Sequence, residues 1–212
     1  MTGARPAGPS RKKEQTMNVQ IKSSSGITLV PIESRLMAES RIVFIQGEID
    51  AAAACDLVKK VLYLDGESKE PIKLLINSEG GEVNSGMLIY DVIQSSRSEI
   101  QTVCIGRAYS MAAILCASAR RGARFILPHG ELMLHEPLVG NKIGGKASSI
   151  KSMSDSIMDT KRKINEILAA HTGKDLETID EETGYDHFFS PEEAIEFGLC
   201  DEIVGIDEIM GG

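Results

Sequence analysis

The chain predicts an α/β fold built on a parallel sheet, and three observations carry that prediction. Apolar runs rich in β-branched residues recur at Arg41–Gly47, Ile72–Ile76 and Gln101–Ile105. The stretches between them keep their apolar residues at helical spacing. Strand and helix therefore alternate from 41 to 119, the pattern of parallel strands joined by right-handed crossovers. Periodicity leaves a doubly wound sheet and a spiral of βαβ units both open.

Bulk properties narrow the function classes. A length of 212 residues, 42% hydrophobic, suits one sizeable core-forming domain, expected over 32–212. The formal net charge of −8 argues against a nucleic-acid partner. Four cysteines (55, 104, 116 and 200) lie in apolar surroundings without CxxC or histidine at metal spacing. They read as reduced core thiols of a cytoplasmic protein, with no metal site. Apolar stretches fall short of the ~18 residues that cross a membrane, so no membrane association is expected. Residues 1–17 are basic and polar and lack the apolar core of a secretory signal, which predicts a disordered tail or removable leader.

In chain order, the Ser-rich stretch Asn18–Pro31 reads as a mobile loop or a weak hairpin. Arg41–Gly47 reads as a strand buried on both faces. Asp50 is placed to cap a helix whose apolar residues are Ala54, Leu57, Val58, Val61 and Leu62. Ile72–Ile76 predicts a strand that ends in Asn77-Ser78-Glu79-Gly80-Gly81, and a helix follows over Val83–Gln94. The strand Gln101–Ile105 leads through Gly106 to Ser110 and to the small, apolar run Met111–Ala119, which predicts a buried helix. Strands are expected at Arg124–Leu127 and Glu131–His135. A Gly-rich stretch, Val139–Lys146, precedes a long helix from about Ser148 to Ala170. Its narrow apolar stripe (Ile150, Met153, Ile157, Ile164, Leu168) suits either a projecting helix that packs on another subunit or a surface helix on its own core. Ser190-Pro191-Glu192-Glu193 opens a capped helix, and a short strand near Ile203 follows.

Few residues carry candidate chemistry. Ser110 stands just past a strand, at the first turn of a buried helix, where N–H groups are unpaired and the dipole is positive; a plain helix cap is the local alternative. His135 ends a strand pattern, at the sheet edge where α/β folds bind ligands. Asp186 falls among aromatics in a loop between two helices. Gly80-Gly81 could aim backbone N–H groups at an anionic oxygen or form an ordinary turn. His129 and His171 read as solvent-facing turn residues. The nucleotide loops GxxxxGK[ST] and GxGxxG are absent, and no cofactor is expected. Ser110 sits in A-Y-S-M-A, so GxSxG is missing too.

The combination INSEGG (76–81), GRAYSMAA (106–113), LMLHEP (132–137) and YDHFFSPEEAIEFGLCDEI (185–203) resembles the proteolytic subunit of the ATP-dependent Clp protease, a serine peptidase. The likeness runs from about Val30 to Val204 with order and spacing kept. It implies a spiral of βαβ units with a protruding strand–helix handle at about 139–171. It implies Ser110 as nucleophile, His135 as general base and Asp186 as orienting acid. Gly81 and Met111 would supply oxyanion N–H groups, and Gly80, Leu138 and Val139 would hold an extended peptide as an added strand. It implies, further, two stacked heptameric rings, a tetradecamer, fed with unfolded protein by an AAA+ unfoldase. Five positions depart from the family's habit. Glu79 replaces a proline, Gly184-Tyr185 an acidic–basic pair used in ring contact, and Lys73 and Leu75 the aromatics of the unfoldase docking pocket. Two other readings share part of this pattern: a crotonase-type acyl-CoA hydratase or isomerase, which has the spiral fold but works with acidic residues, and a catalytically silent ring component.

Overall fold

The computed structural model describes residues 17–23, 26–138 and 146–210. The stretch 1–16, Val139 and all but the last residue of the Gly-rich stretch lie outside the described residues. Strands β1 (Asn18–Ser23) and β2 (Gly26–Pro31) pair antiparallel, so the hairpin alternative for this stretch is the one adopted. Helix α1 (Ile32–Ser40), which the sequence reading did not include, leads into β3 (Ile42–Ile49). The alternating part follows as α2 (Ala51–Glu67), β4 (Ile72–Gly81), α3 (Val83–Ser95), β5 (Ile100–Tyr109) and α4 (Met111–Ala117). Then come β6 (Arg124–Ile126), β7 (Glu131–Leu134), α5 (Ala147–Thr172), α6 (Leu176–Glu182), β8 (His187–Phe189), α7 (Pro191–Phe197), β9 (Glu202–Ile203) and α8 (Ile206–Met210).

The central sheet runs β3-β4-β5-β6-β9, all parallel. Helices cover both faces, which is why its strands read as continuous apolar runs. Alternate residues sort to the two sides. Val43, Ile45, Leu74, Ile76 and Cys104 join the large core with α2, α3 and α4. Ile42, Leu75 and Val103 join a smaller cluster closed by Val204 and by Ile209 of α8. Asp50 caps α2 by accepting from the Ala53 N–H at 2.8 Å, as its position predicts. Leu62, however, is 60% exposed and Leu64 fills the core position instead. Cys55 is exposed as well, so only three of the cysteines are core thiols. Burial of Cys104, with Cys116 beside it, pushes its thiol up to about 12.

The strand β5 is what organises the site. Its first half, Thr102–Cys104, pairs with β6, and its second half, Arg107–Tyr109, pairs with β7 along the same direction. The turn between β6 and β7, closed by Gly130 N–H donating to Leu127 O at 2.8 Å, lets β7 take over beside β5 where β6 ends. Strand β8 then pairs antiparallel with β7, with Leu134 opposite His187. The long helix α5 divides into two halves. Ile164 and Leu168 pack in the core, whereas Ile150, Met153 and Met158 are exposed. Among the described residues, no helix is long and apolar enough to cross a membrane.

Candidate active site

Three adjacent strands deliver three side chains to one place. Strand β5 ends at Tyr109 and hands the chain to Ser110, whose N–H donates to Met133 O of β7 at 2.8 Å. Strand β7 ends at Leu134, and His135 follows. Because Leu134 is opposite His187, the antiparallel ladder sets Asp186, one residue before β8, beside His135. Ser110 Oγ lies 2.8 Å from His135 Nε2, and His135 Nδ1 lies 3.2 Å from Asp186 Oδ1. With the ring proton on Nδ1, His135 donates to the carboxylate and its Nε2 accepts from the serine hydroxyl. The imidazole is 14% exposed, the carboxylate 66%. Asp186 is not in a loop between two helices as expected, since β8 intervenes and supplies the pairing that positions it.

Ser110 is the residue before α4, yet its side chain makes no capping bond. Its φ of 54° and ψ of −123° lie in a region that side-chain-bearing residues rarely occupy. The hydroxyl is thereby turned to His135 instead of to its own helix.

Gly80 and Gly81 are not the turn that the sequence allowed. They are the last residues of β4 and pair with Glu48 and Ile49 of β3 across a register shift. Both have positive φ, 90° and 157°. A Cβ on Gly80 would stand 2.6 Å from Tyr109 O and 3.0 Å from Ser110 Cβ, so the strand passes against the corner that carries Ser110. Met111 opens α4, where a first-turn N–H has no intrahelical acceptor. The structure therefore brings Ser110, His135, Asp186 and Gly80 together and sets Gly81 and Met111 next to them. Leu138 is exposed three residues beyond His135; its expected companion, Val139, lies outside the described residues.

Neighbouring contacts were not legible in the sequence. Lys161 of α5 binds Glu136, next to His135, at 3.2 Å and Asp180 of α6 at 2.8 Å. The bond to Asp180 raises the Lys161 pKa above its usual value. Glu79 is drawn sideways to Arg107 at 3.2 Å, and Tyr109 donates to the Glu131 carboxylate. These partners are spread over separate elements, so no local spacing announces them. His171 is not a solvent-facing turn residue. It sits in the last turn of α5, half-buried, with its Nε2 3.1 Å from the Tyr90 hydroxyl, and burial lowers its pKa.

A model of the Clp protease family matches residues 25–207 of the 212. The chain belongs to the Clp protease family. The match reaches from β2 into α8 and so takes in every element that carries the site. The mostly parallel sheet with alternating helices is the fold of ClpP-like peptidases. Against the Clp family's habit of aromatics at two positions of β4, Lys73 donates to Ile209 O at 2.5 Å and Leu75 is buried.

Proposed function

We propose that this chain is a serine endopeptidase subunit that hydrolyses peptides and unfolded proteins inside a ring assembly. The contact of Ser110 Oγ with His135 Nε2 at 2.8 Å, with Asp186 on the far ring nitrogen, carries the reading. In this reading His135 takes the hydroxyl proton as Ser110 Oγ attacks the peptide carbonyl carbon. The tetrahedral oxyanion forms beside the N–H groups of Gly81 and Met111. His135 then gives the proton to the leaving amine, and an acyl-enzyme remains on Ser110. Water, deprotonated by His135, attacks the acyl carbon, releases the acid product and restores the hydroxyl. Asp186 holds the imidazole in the tautomer that both halves need. Substrate chain lies extended along Gly80 and the Leu138–Val139 segment.

The assembly we infer is two stacked heptameric rings served by an AAA+ unfoldase, in the cytoplasm. The family's general habit of forming rings and working with Clp ATPases supports this. So do the exposed apolar residues on the first half of α5. The test is direct. Wild-type protein should hydrolyse a short fluorogenic peptide and take up a fluorophosphonate at Ser110. Ser110→Ala should lose both, by several powers of ten in rate, with its circular dichroism unchanged. An Ala variant that cleaves at the wild-type rate would remove the assignment. Absence of labelling in wild type would favour a silent ring component or a crotonase-type enzyme.

A further inference from the structure

Asp186 is two-thirds exposed, and among the described residues its carboxylate has one contact, His135 at 3.2 Å. An exposed carboxylate with one long hydrogen bond does not hold itself in place; its backbone must. Residues 185–189 alternate sides, as a strand does. Asp186 and Phe188 face the site, and Phe188 meets Tyr109 edge-on at 5.7 Å. Tyr185, His187 and Phe189 face the other way and stack: Tyr185 on His187 at 5.4 Å and 18°, His187 on Phe189 at 4.0 Å and 22°. Phe189 is fully buried and leans on Phe197 at 5.0 Å, so the column is rooted in the core. Its outer end is tied to α6. Glu182 Oε2 receives the Tyr185 hydroxyl at 3.1 Å and lies 2.5 Å from His187 Nδ1. The residues on both sides of Asp186 are thus fastened to one carboxylate.

We propose that Glu182, gripping Tyr185 and His187, is the positioning residue for Asp186. It touches neither substrate nor Ser110 and acts only through the backbone between its two partners. The proposal rests on the peptidase reading and deepens it. The contacts that flank Asp186 come from Tyr185, His187 and Glu182 of the same chain.

The rate of fluorophosphonate labelling of the full-length protein tests it, with kcat and KM for a fluorogenic peptide beside it. Glu182→Ala should slow labelling and lower kcat by about tenfold or more with KM unchanged. Glu182→Gln keeps an acceptor oxygen and should label at close to the wild-type rate. Tyr185→Phe keeps the stack, removes one hydrogen bond and should fall between the two. In an Asp186→Ala background, Glu182→Ala should slow labelling further by no more than about twofold, because the residue it positions is gone. A wild-type rate for Glu182→Ala overturns the proposal, as does a Gln variant as slow as Ala, or an equal loss in both backgrounds. None of these results touches the peptidase reading, which fails if the wild type does not label or if Ser110→Ala still labels or cleaves.

Discussion

Ser110 is held in a backbone conformation that costs about 1–3 kcal/mol, and the surrounding strands supply the restraint. Its N–H is fixed to Met133 O, and Gly80 fills the space on its other side. Glycine is required at 80 twice over, by a φ of 90° and by the Tyr109 carbonyl oxygen, which would stand 2.6 Å from a Cβ there. Gly80→Ala should therefore lower the melting temperature, and it should also slow Ser110 labelling by pushing the Ser110–Met111 corner away from β4. A variant with wild-type melting and labelling would mean that the corner is looser than its contacts indicate. Glu79 shows a gentler effect at the same scale. Its carboxylate, on the residue before Gly80, pairs with Arg107 at 3.2 Å, though both groups are half exposed and the pair is screened.

Helix α5 is one element with two environments. Ile164 and Leu168 are 5% and 1% exposed, whereas Ile150 and Met153 on the same stripe are 40% and 38% exposed. A helix buries apolar surface because a partner covers it, and none of the described residues covers Ile150 and Met153 in the first half. Leu168→Ala should destabilise the protomer by about 2–5 kcal/mol, read by denaturant unfolding. Ile150→Ala should leave protomer unfolding nearly unchanged and weaken the proposed assembly, read by light scattering. Equal losses of folding stability at both positions would place the first half against its own protomer. Lys161 lies between the halves and bonds both Glu136, just past the end of β7, and Asp180 of α6.

At the scale of the whole molecule, two carboxylates bind distant segments together. Asp65 on α2 accepts from the Ser98 N–H at 2.7 Å and from the Ser96 hydroxyl and Arg97. Burial alone would raise its pKa, but these donors outweigh burial and hold the carboxyl well below the usual carboxylate range. Asp201 is likewise pushed up by burial and brought down further by the buried guanidinium of Arg124, with a net lowering. Since both groups titrate lower in the folded chain, the unfolded chain binds more protons in acid. Their stabilisation is complete above the unfolded carboxylate value near ~4 and declines as pH falls through the lower folded values. Urea midpoints should accordingly drop as the pH is taken from about 5 downward, and Asp65→Asn should flatten that drop. A variant as acid-sensitive as wild type would assign the acid loss to other groups.

What the sequence by itself determined is the alternation of elements and the identity of the chemical groups. Apolar runs and helical spacing are local signals, and they placed the strands beginning near 42, 72 and 100 and the buried helix after Ser110. The four motifs then marked a peptidase family and its candidate side chains. Tertiary structure decided where strands stop and what meets what. Strand β4 runs on through Gly80-Gly81 and β5 through Tyr109, because neighbouring strands supply hydrogen bonds that no local pattern encodes. The residues His187–Phe189 read in sequence as part of a loop, and only pairing with β7 makes them a strand. Cys55, Leu62 and His171 show the same rule for burial, which depends on which face another element covers. Convergence of Ser110, His135 and Asp186 follows from the fork of β5 between β6 and β7, a pairing choice made across the sheet and not along the chain.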